Sequence, residues 1–326
     1  MIDNQKYFNL LKQGADKFPG ELSLLKRYYK QKLPCLPNSE ENNKIKDYVD
    51  NLFLEFNFEM NKMLPSKKMN LLDILLLNKC NLNCKGCDAY APLCKGDDSF
   101  YSVEDIKRDL TLLNKKGFSI KEISIEGGEP FLYKDLLRVV EVLRDVYRLS
   151  TITILTNGTL LGERPDSFYK SLEELKCGLV IDKYFEIPNF SETVKHIESF
   201  GVRIELDGCV DGNGWFHRAP LDLQSTDFSE DEDVKHFIAC EKANNIFTLD
   251  HGFIYPCGRS ASIKYFNRFF KKNLPECGID VSLLSGDEIA ARLAIPCKLC
   301  KYCKPFTSER MFWAESSLDI NEWADV

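Results

Sequence analysis

Residues Leu71–Cys87 read LLDILLLNKCNLNCKGC. The first seven form a near-continuous apolar run, as a strand buried on both faces of a parallel sheet should. A polar loop follows, carrying Cys80, Cys84 and Cys87 with three and then two residues between them. A buried strand that delivers three thiols at its carboxyl end decides the fold class and points to the chemistry.

The chain continues outward from this strand as alternating units. Ser102–Asp105 opens a helix in the style of a capping box, and Ile106, Leu110 and Leu113 continue it on one face. Strand Ile120–Glu126, a helix over Asp135–Tyr147 and strand Thr151–Thr156 follow. Next come a helix over Ser167–Leu175, strand Gly178–Ile181, helix Glu192–Phe200 and strand Val202–Leu206. Repeated strand–helix units predict an α/β fold with a parallel sheet and right-handed crossovers. Such folds place their chemistry at the carboxyl ends of the strands. The cysteine loop, Gly127-Gly128-Glu129-Pro130 and Thr156-Asn157-Gly158 all fall at such ends.

The thiol spacing separates the metal alternatives. Structural zinc usually takes two separated CxxC pairs. Bacterial ferredoxin runs have spacings of two, two and three with a proline after the last cysteine. Here the spacing is three then two, with no histidine nearby to complete a tetrahedral zinc set and neither the ferredoxin spacing nor its proline. A cubane iron–sulfur cluster takes four thiolates, so three leave one iron open to a small chelating ligand, like the open position of a catalytic zinc.

The CxxxCxxC pattern resembles the signature of the radical S-adenosylmethionine (SAM) family. Lys121–Pro130, KEISIEGGEP, is similar to that family's glycine-rich motif at the end of its second strand, and Thr151–Gly158, TITILTNG, to a later strand end. The resemblance implies a partial (β/α)6 TIM-like barrel. It implies that Cys80, Cys84 and Cys87 hold a SAM-binding [4Fe–4S] cluster. Gly127, Gly128, Glu129 and Pro130 then receive the SAM methionine, with glycine letting the ligand approach the backbone. Thr156 and Asn157 lie near the ribose. In one departure, Gly86 stands where the family has an aromatic residue or histidine, so backbone and other apolar side chains must hold the adenine.

The C-terminal third adds Cys240, Gly252 and Cys257 with C-x11-G-x4-C spacing, then CKLCKYC over Cys297–Cys303. Ile246–Leu249 and Phe253–Tyr255 read as a hairpin about Asp250-His251-Gly252. The pattern resembles the twitch domain, a shortened SPASM domain, which implies an auxiliary [4Fe–4S] cluster on four cysteines. Cys240, Cys257, Cys300 and Cys303 are the expected ligands. Cys297 is the alternative or a spare thiol, Cys277 is a weaker candidate, and a zinc ribbon is the competing reading. Cys35, Cys94, Cys177 and Cys209 read as ordinary thiols, because cysteine often serves as a small buried hydrophobe. The segments Ala91–Leu93, Ile181–Tyr184 and Gly252–Asn267 also resemble radical SAM/twitch proteins found beside surface-polysaccharide genes.

Composition bounds the rest. The 326 residues are 44% apolar, enough for a large domain plus a smaller one. A formal charge of −7 and the lack of a basic block argue against nucleic acid. No apolar run reaches membrane-span length and the N-terminus has no signal-peptide pattern, so the clustered cysteines among the thirteen read as iron ligands in a reducing cytoplasm. The expected divisions are a helical extension over 1–68, the radical SAM core over 69–210, a small β-hairpin/α twitch domain over 236–310, and a tail over 311–326.

The resemblance implies reductive cleavage of SAM to a 5′-deoxyadenosyl radical, hydrogen abstraction from a substrate carbon, and a flavodoxin- or ferredoxin-type reductant. The favoured substrate is a sugar, aminocyclitol or nucleotide-linked sugar, oxidised or epimerised. The alternatives are a peptide receiving a crosslink or thioether, and a non-enzymatic iron–sulfur carrier or sensor. Candidate substrate residues are Lys183 and Tyr184, expected to face the barrel mouth, with Glu205 and Asp207 near the end of the fifth strand. The competing reading of each is a solvated or ion-paired side chain. Arg259, beside Cys257, is read as a contact to an anionic substrate or as neutralising cluster charge.

Overall fold

The computed structural model describes residues 65–94, 99–207, 215–218, 220–225, 232–240, 242–304 and 309–326. The helical extension expected before residue 65 lies outside the described residues, as do Cys35 and Cys209. Strands β1 (Lys68–Leu77), β2 (Ser119–Gly127), β3 (Thr151–Thr156), β4 (Cys177–Asp182) and β5 (Ile204–Asp207) alternate with helices α1 (Val103–Lys115), α2 (Leu136–Val146), α3 (Asp166–Glu174) and α4 (Phe190–Glu198). Short strands β6 (Trp215–Arg218) and β7 (Leu221–Asp222) precede α5 (Glu232–Ala239). The chain continues through β8 (Ile246–Asp250), β9 (Phe253–Tyr255), α6 (Gly258–Phe270), β10 (Ile279–Asp280) and α7 (Gly286–Leu293). It ends with β11 (Glu309–Phe312) and β12 (Ala324–Asp325).

The main sheet has eight strands in the order β10-β9-β8-β1-β2-β3-β4-β5. From β8 to β5 every pairing is parallel, while β9 and β10 run antiparallel at the edge. The result is an open α/β sheet of six parallel strands, with no closure between its edges among the described residues. The sixth parallel strand is the first half of the hairpin expected in the C-terminal domain. Its register on β1 runs from Leu71↔Ile246 to Ile74↔Leu249. The sheet therefore crosses the expected division between residues 69–210 and 236–310.

The two faces of the sheet differ in chemistry. On the helix-covered face, Leu72, Ile74 and Leu76 of β1, Ile123 and Ile125 of β2, Ile152 and Ile154 of β3, and Ile181 of β4 are fully buried. They pack on α1 through Ile106, Leu110 and Leu113, and on α2 through Leu136, Val139, Val140 and Leu143. That spacing of three and four residues is one face of a helix. Each fully buried leucine or isoleucine contributes about 1.5–3 kcal/mol, so this face carries most of the stability. Ser102 caps α1 by accepting from Asp105 N at 3.1 Å, as the capping-box pattern predicts. Alternate residues on the opposite face include Asp73, Ser124 and Thr153, which are buried but polar.

A second apolar cluster joins Tyr90 and Leu93, just after the cysteine loop, to Ile263 and Phe266 of α6, Leu299 and Trp323. It fixes the cysteine loop to the C-terminal third. Cys94 and Cys177 are buried, in line with their reading as ordinary thiols.

Candidate active site and cysteine centres

Cys80, Cys84 and Cys87 line one cavity of about 410 Å³ at the carboxyl end of the parallel strands. Its wall also carries Gly127 and Gly128 at the end of β2, Thr156 and Asn157 at the end of β3, and Asp182 and Tyr184 at the end of β4. Four consecutive strand ends therefore converge on one space, and residues far apart in sequence meet there because parallel strands all end on the same side.

The cysteine loop is tied down at both flanks. Cys87 N donates to Cys84 O at 3.3 Å and Tyr90 N to Cys87 O at 2.9 Å. Leu82 N donates to Cys80 Sγ at 3.4 Å. Burial pushes the Cys80 and Cys84 thiols up to about 12, and raises Cys87 as well. Burial disfavours an isolated thiolate. Thiols in such a setting need a bound cation to hold them ionised, and cluster binding must release their protons. The donor set and its single shared cavity fit a cluster with three protein thiolates.

The glycines in the cavity wall also allow two backbones to pack closely. Gly127 has φ +133°, and a Cβ there would lie 2.3 Å from Leu77 O. A Cβ on Gly128 would lie 2.0 Å from Lys79 O. The bare backbone of β2 packs against the backbone that leads into the cysteine loop. Gly128 N donates to Leu77 O at 2.7 Å and Glu129 N to Lys79 O at 2.9 Å. A register shift between Leu75 and Leu77 marks the bend where β1 gives way to this loop.

Glu129 and Pro130, expected at the cofactor, do not line the cavity. Glu129 is fully buried. Its Oε1 accepts from Phe131 N at 3.0 Å and from Thr156 Oγ1 at 2.7 Å, and its Oε2 accepts from Asn157 N at 2.9 Å. Burial raises its carboxyl and these donors oppose the rise. Glu129 is a staple between the ends of β2 and β3. Asn157 extends the staple, because its Nδ2 donates to Asn81 Oδ1 at 2.9 Å within the cysteine loop.

The candidate substrate residues separate by strand alternation. Tyr184 lines the cavity and its hydroxyl donates to Asp182 Oδ2 at 3.3 Å. Burial and the Asp182 carboxylate push the Tyr184 phenol up. Lys183, expected at the mouth, points the other way. It pairs with Glu186 at 2.8 Å and sits over the Phe190 ring at 5.3 Å. Glu205 is not in the cavity wall, although its Cα register with Val180 puts it on the same face as Asp182. The Asp207 side chain lies outside what is described.

The C-terminal thiols form two adjoining groups. Cys303 is pushed up to about 11 by burial, lowered by Arg259 and raised by the nearby Cys257 and Cys240 thiols. Cys300 belongs to the other group, with its Sγ 3.7 Å from Cys297 Sγ. Cys277 hydrogen bonds Cys297, which raises Cys277. Cys297 in turn senses the charge of Cys257. Three of the four expected ligands, Cys240, Cys257 and Cys303, thus interact electrostatically, while Cys300 lies beside Cys297. No three His, Cys, Asp or Glu side chains among the described residues are arranged to hold a single metal ion.

Several contacts are not legible in the motifs. Arg259 reaches Cys303 Sγ at 3.8 Å through one Nη and Asp88 Oδ1 at 3.4 Å through the other. Asp88 follows Cys87, so one guanidinium joins the two cysteine regions beside the cavity. The C-terminal tail returns over the cysteine loop. Lys85 N donates to Ala314 O at 2.9 Å, and Ser316 N to Asn83 O at 2.7 Å. The Trp313 indole donates to Cys84 Sγ at 3.2 Å, and the Trp323 indole to Cys87 O at 2.9 Å. No sequence signal pairs a tail tryptophan with a loop more than two hundred residues earlier.

A three-thiol loop over a cavity at parallel strand ends defines a class of protein that binds an iron–sulfur cluster with one open corner. Residues 74–182, from within β1 to the end of β4, match the Radical SAM superfamily. This segment is a radical SAM domain, and the match implies a [4Fe–4S] cluster and SAM as cofactors. Over 150 residues the chain is 27% identical to GTP 3′,8-cyclase of Alkaliphilus oremlandii, covering 44% of this chain and 46% of that protein. Over 123 residues it is 30% identical to 7-carboxy-7-deazaguanine synthase of Aquifex aeolicus, covering 37% of this chain and 52% of that protein. The chain spans about half the length of these relatives. The crystal structure of BtrN in complex with AdoMet and 2-DOIA is similar over 73% of this chain and 94% of that one, at 14% identity and a TM-score of 0.46. Among the described residues no helix is long and apolar enough to cross a membrane.

Proposed function

We propose that this chain is a radical SAM oxidoreductase that dehydrogenates or epimerises a small hydroxyl- or amine-bearing molecule, in the class of sugars, aminocyclitols and nucleotide-linked sugars. The single observation that carries the reading is the pair of cysteine regions set beside one cavity and joined through Asp88 and Arg259.

In this reading Cys80, Cys84 and Cys87 hold the catalytic [4Fe–4S] cluster. Cys240, Cys257 and Cys303, with Cys300 or Cys297, hold an auxiliary [4Fe–4S] cluster. The reduced cluster and SAM supply one-electron cleavage of SAM and a radical that removes a hydrogen atom from a substrate carbon. Gly127, Gly128, Thr156 and Asn157 form the SAM wall of the cavity, and Glu129 holds that wall in register. Tyr184 and Asp182 stand where a substrate hydroxyl can exchange a hydrogen bond or lose its proton. Arg259 offsets the negative charge that collects on the auxiliary thiolates and fixes their distance from the cavity. A flavodoxin- or ferredoxin-type protein in the cytoplasm serves as the reductant.

The test is incubation of anaerobically reconstituted, dithionite-reduced protein with SAM and carbon-deuterated sugars and aminocyclitols. Deuterium in 5′-deoxyadenosine, with a product two hydrogens lighter or inverted at the labelled carbon, supports the reading. The similarity to GTP 3′,8-cyclases favours a second reading, a purine nucleotide substrate, so GTP forms one arm of the same assay. Label transfer from GTP alone would replace the first reading with the second.

A further inference from the structure

We propose that the inner end of the cavity is a polyol-recognition subsite, in which Asp73 and Glu126, flanked by Lys242, bind the vicinal hydroxyl or amino groups of a small ring. This inference deepens the reading above and rests on it.

Asp73 is 6% exposed and lines the cavity. Among the described residues its Oδ1 has no hydrogen-bond partner. A buried acceptor left without a partner costs about 1–3 kcal/mol, so a carboxylate oxygen in the cavity wall is a standing site for a donor-bearing ligand. Thr248, beside Asp73 in the β1–β8 register, is fully buried, and its Oγ1 is likewise without a partner.

The neighbours define the ligand. Glu126 also lines the cavity, shares a hydrogen bond with Asp73, and accepts from Ser124 Oγ at 3.0 Å. Burial raises both carboxyls; the Glu126 charge and hydrogen bond raise Asp73 further, while the hydrogen bond with Asp73 lowers Glu126. Two carboxyls joined by a hydrogen bond still offer several acceptors, Asp73 Oδ1 among them. A hydroxyl group donates and accepts, so vicinal hydroxyls match this pair. A phosphate only accepts and would face Asp73, Glu126 and the nearby Glu122, with Lys242 the cation set against these carboxyls. Leu71, Leu75 and Ile246 supply apolar wall beside the carboxyls. A cyclitol or pyranose ring has this same division, with polar edges and C–H faces.

Position fits as well. Asp73 lies four residues before the end of β1, about 13 Å along the strand at ~3.3 Å per residue. The cysteines follow that end. A ligand held at Asp73 therefore sits below the strand ends and not among the thiols.

The experiment is calorimetric titration of the SAM-loaded, reconstituted protein with myo-inositol, D-glucosamine, UDP-glucose and GTP. Iron content and far-ultraviolet circular dichroism are recorded for every variant. The wild type is expected to bind at least one of the first three. Asp73→Asn should weaken that binding at least tenfold with iron content unchanged, and Glu126→Gln should weaken it in the same direction. If Asp73→Asn loses iron or structure, Glu126→Gln alone decides. Binding of a polyol that neither substitution alters would overturn the inference, as would binding of none of the three. Failure of the wild type to cleave SAM would instead count against the proposed function. A protein that cleaves SAM but binds polyols independently of Asp73 leaves that function standing and removes only this subsite.

Discussion

Glu129 offers the sharpest distinction between a cofactor ligand and a structural staple. Its carboxylate receives three hydrogen bonds, from Phe131 N, Thr156 Oγ1 and Asn157 N, and it is fully buried. Glu129→Ala removes both acceptor oxygens and leaves three donors facing a cavity. Hydrogen bonds to a charged group are worth about 1.5–3 kcal/mol each, and bonds to one group do not add fully. We expect a loss of about 3–5 kcal/mol, a large fraction of the ~5–15 kcal/mol that holds a domain together. Glu129→Gln is the calibrating variant. With its amide nitrogen toward Asn157 N, it keeps the two acceptor contacts of Oε1 and loses one, so the cost falls to about 1.5–3 kcal/mol. The assay is urea unfolding of the metal-free protein without SAM, followed by iron content after reconstitution. The order wild type, Gln, Ala should appear in the metal-free midpoints. Iron loading should fall with it, because Asn157 carries the staple on to Asn81 of the cysteine loop. Unchanged midpoints in both variants, with only SAM affinity reduced, would refute the staple and return Glu129 to the cofactor.

Three further outcomes are expected. Asp73 and Glu126 have carboxyls raised from ordinary values of 3.8 and 4.5, so the stability they contribute is complete below those values and is lost as pH rises through their folded-state values. Urea midpoints should therefore decline over that rise in the wild type, and the Asp73→Asn/Glu126→Gln double variant should flatten the decline; parallel curves would contradict the shifts. Trp313→Phe removes the indole donor to Cys84 Sγ and should lower the reduction potential of the SAM-binding cluster, since a hydrogen bond to sulfur favours the more negative, reduced state; an unchanged potential in a spectroscopically monitored titration would exclude that contact in the loaded protein. Cys303→Ala should lose auxiliary iron, whereas Cys297→Ala and Cys300→Ala should differ from each other, with the larger loss marking the fourth ligand; equal retention in all three would remove the auxiliary assignment.

How far the sequence reaches is visible residue by residue. The strands and helices from Leu71 to Leu206 are legible because hydrophobic period and turn chemistry are local signals, and the three thiols share one loop. The function of Glu129 is not legible in that way. A motif places it beside two glycines, but only the pairing of β2 with β3 shows that its partners are Thr156 and Asn157. Lys183 fails for a related reason. Proximity to a strand end suggests the mouth, while the twofold alternation that puts Asp182 and Tyr184 inward turns Lys183 outward. Asp73 escapes notice within an apolar run, because the outer face of β1 is hydrophobic throughout and its inner face is not.

The tail and the hairpin give a physical reason for the chain's C-terminal third to be inseparable from its parallel sheet. Strand β8 completes the parallel sheet on β1, so the segment that carries Cys257 is positioned by the same strand that leads to Cys80. The tail pairs with the loop that holds Cys84, and the Trp323 indole fixes the Cys87 carbonyl. Arg259 closes the circuit by touching Asp88 and Cys303 together. Each of these contacts limits how the two cysteine regions can shift relative to each other. Electron exchange between two centres falls steeply with separation. Under the proposed function, a substrate-radical electron passing from the cavity to an auxiliary cluster would need that separation fixed, and these contacts limit it without placing a side chain of the tail in the cavity wall.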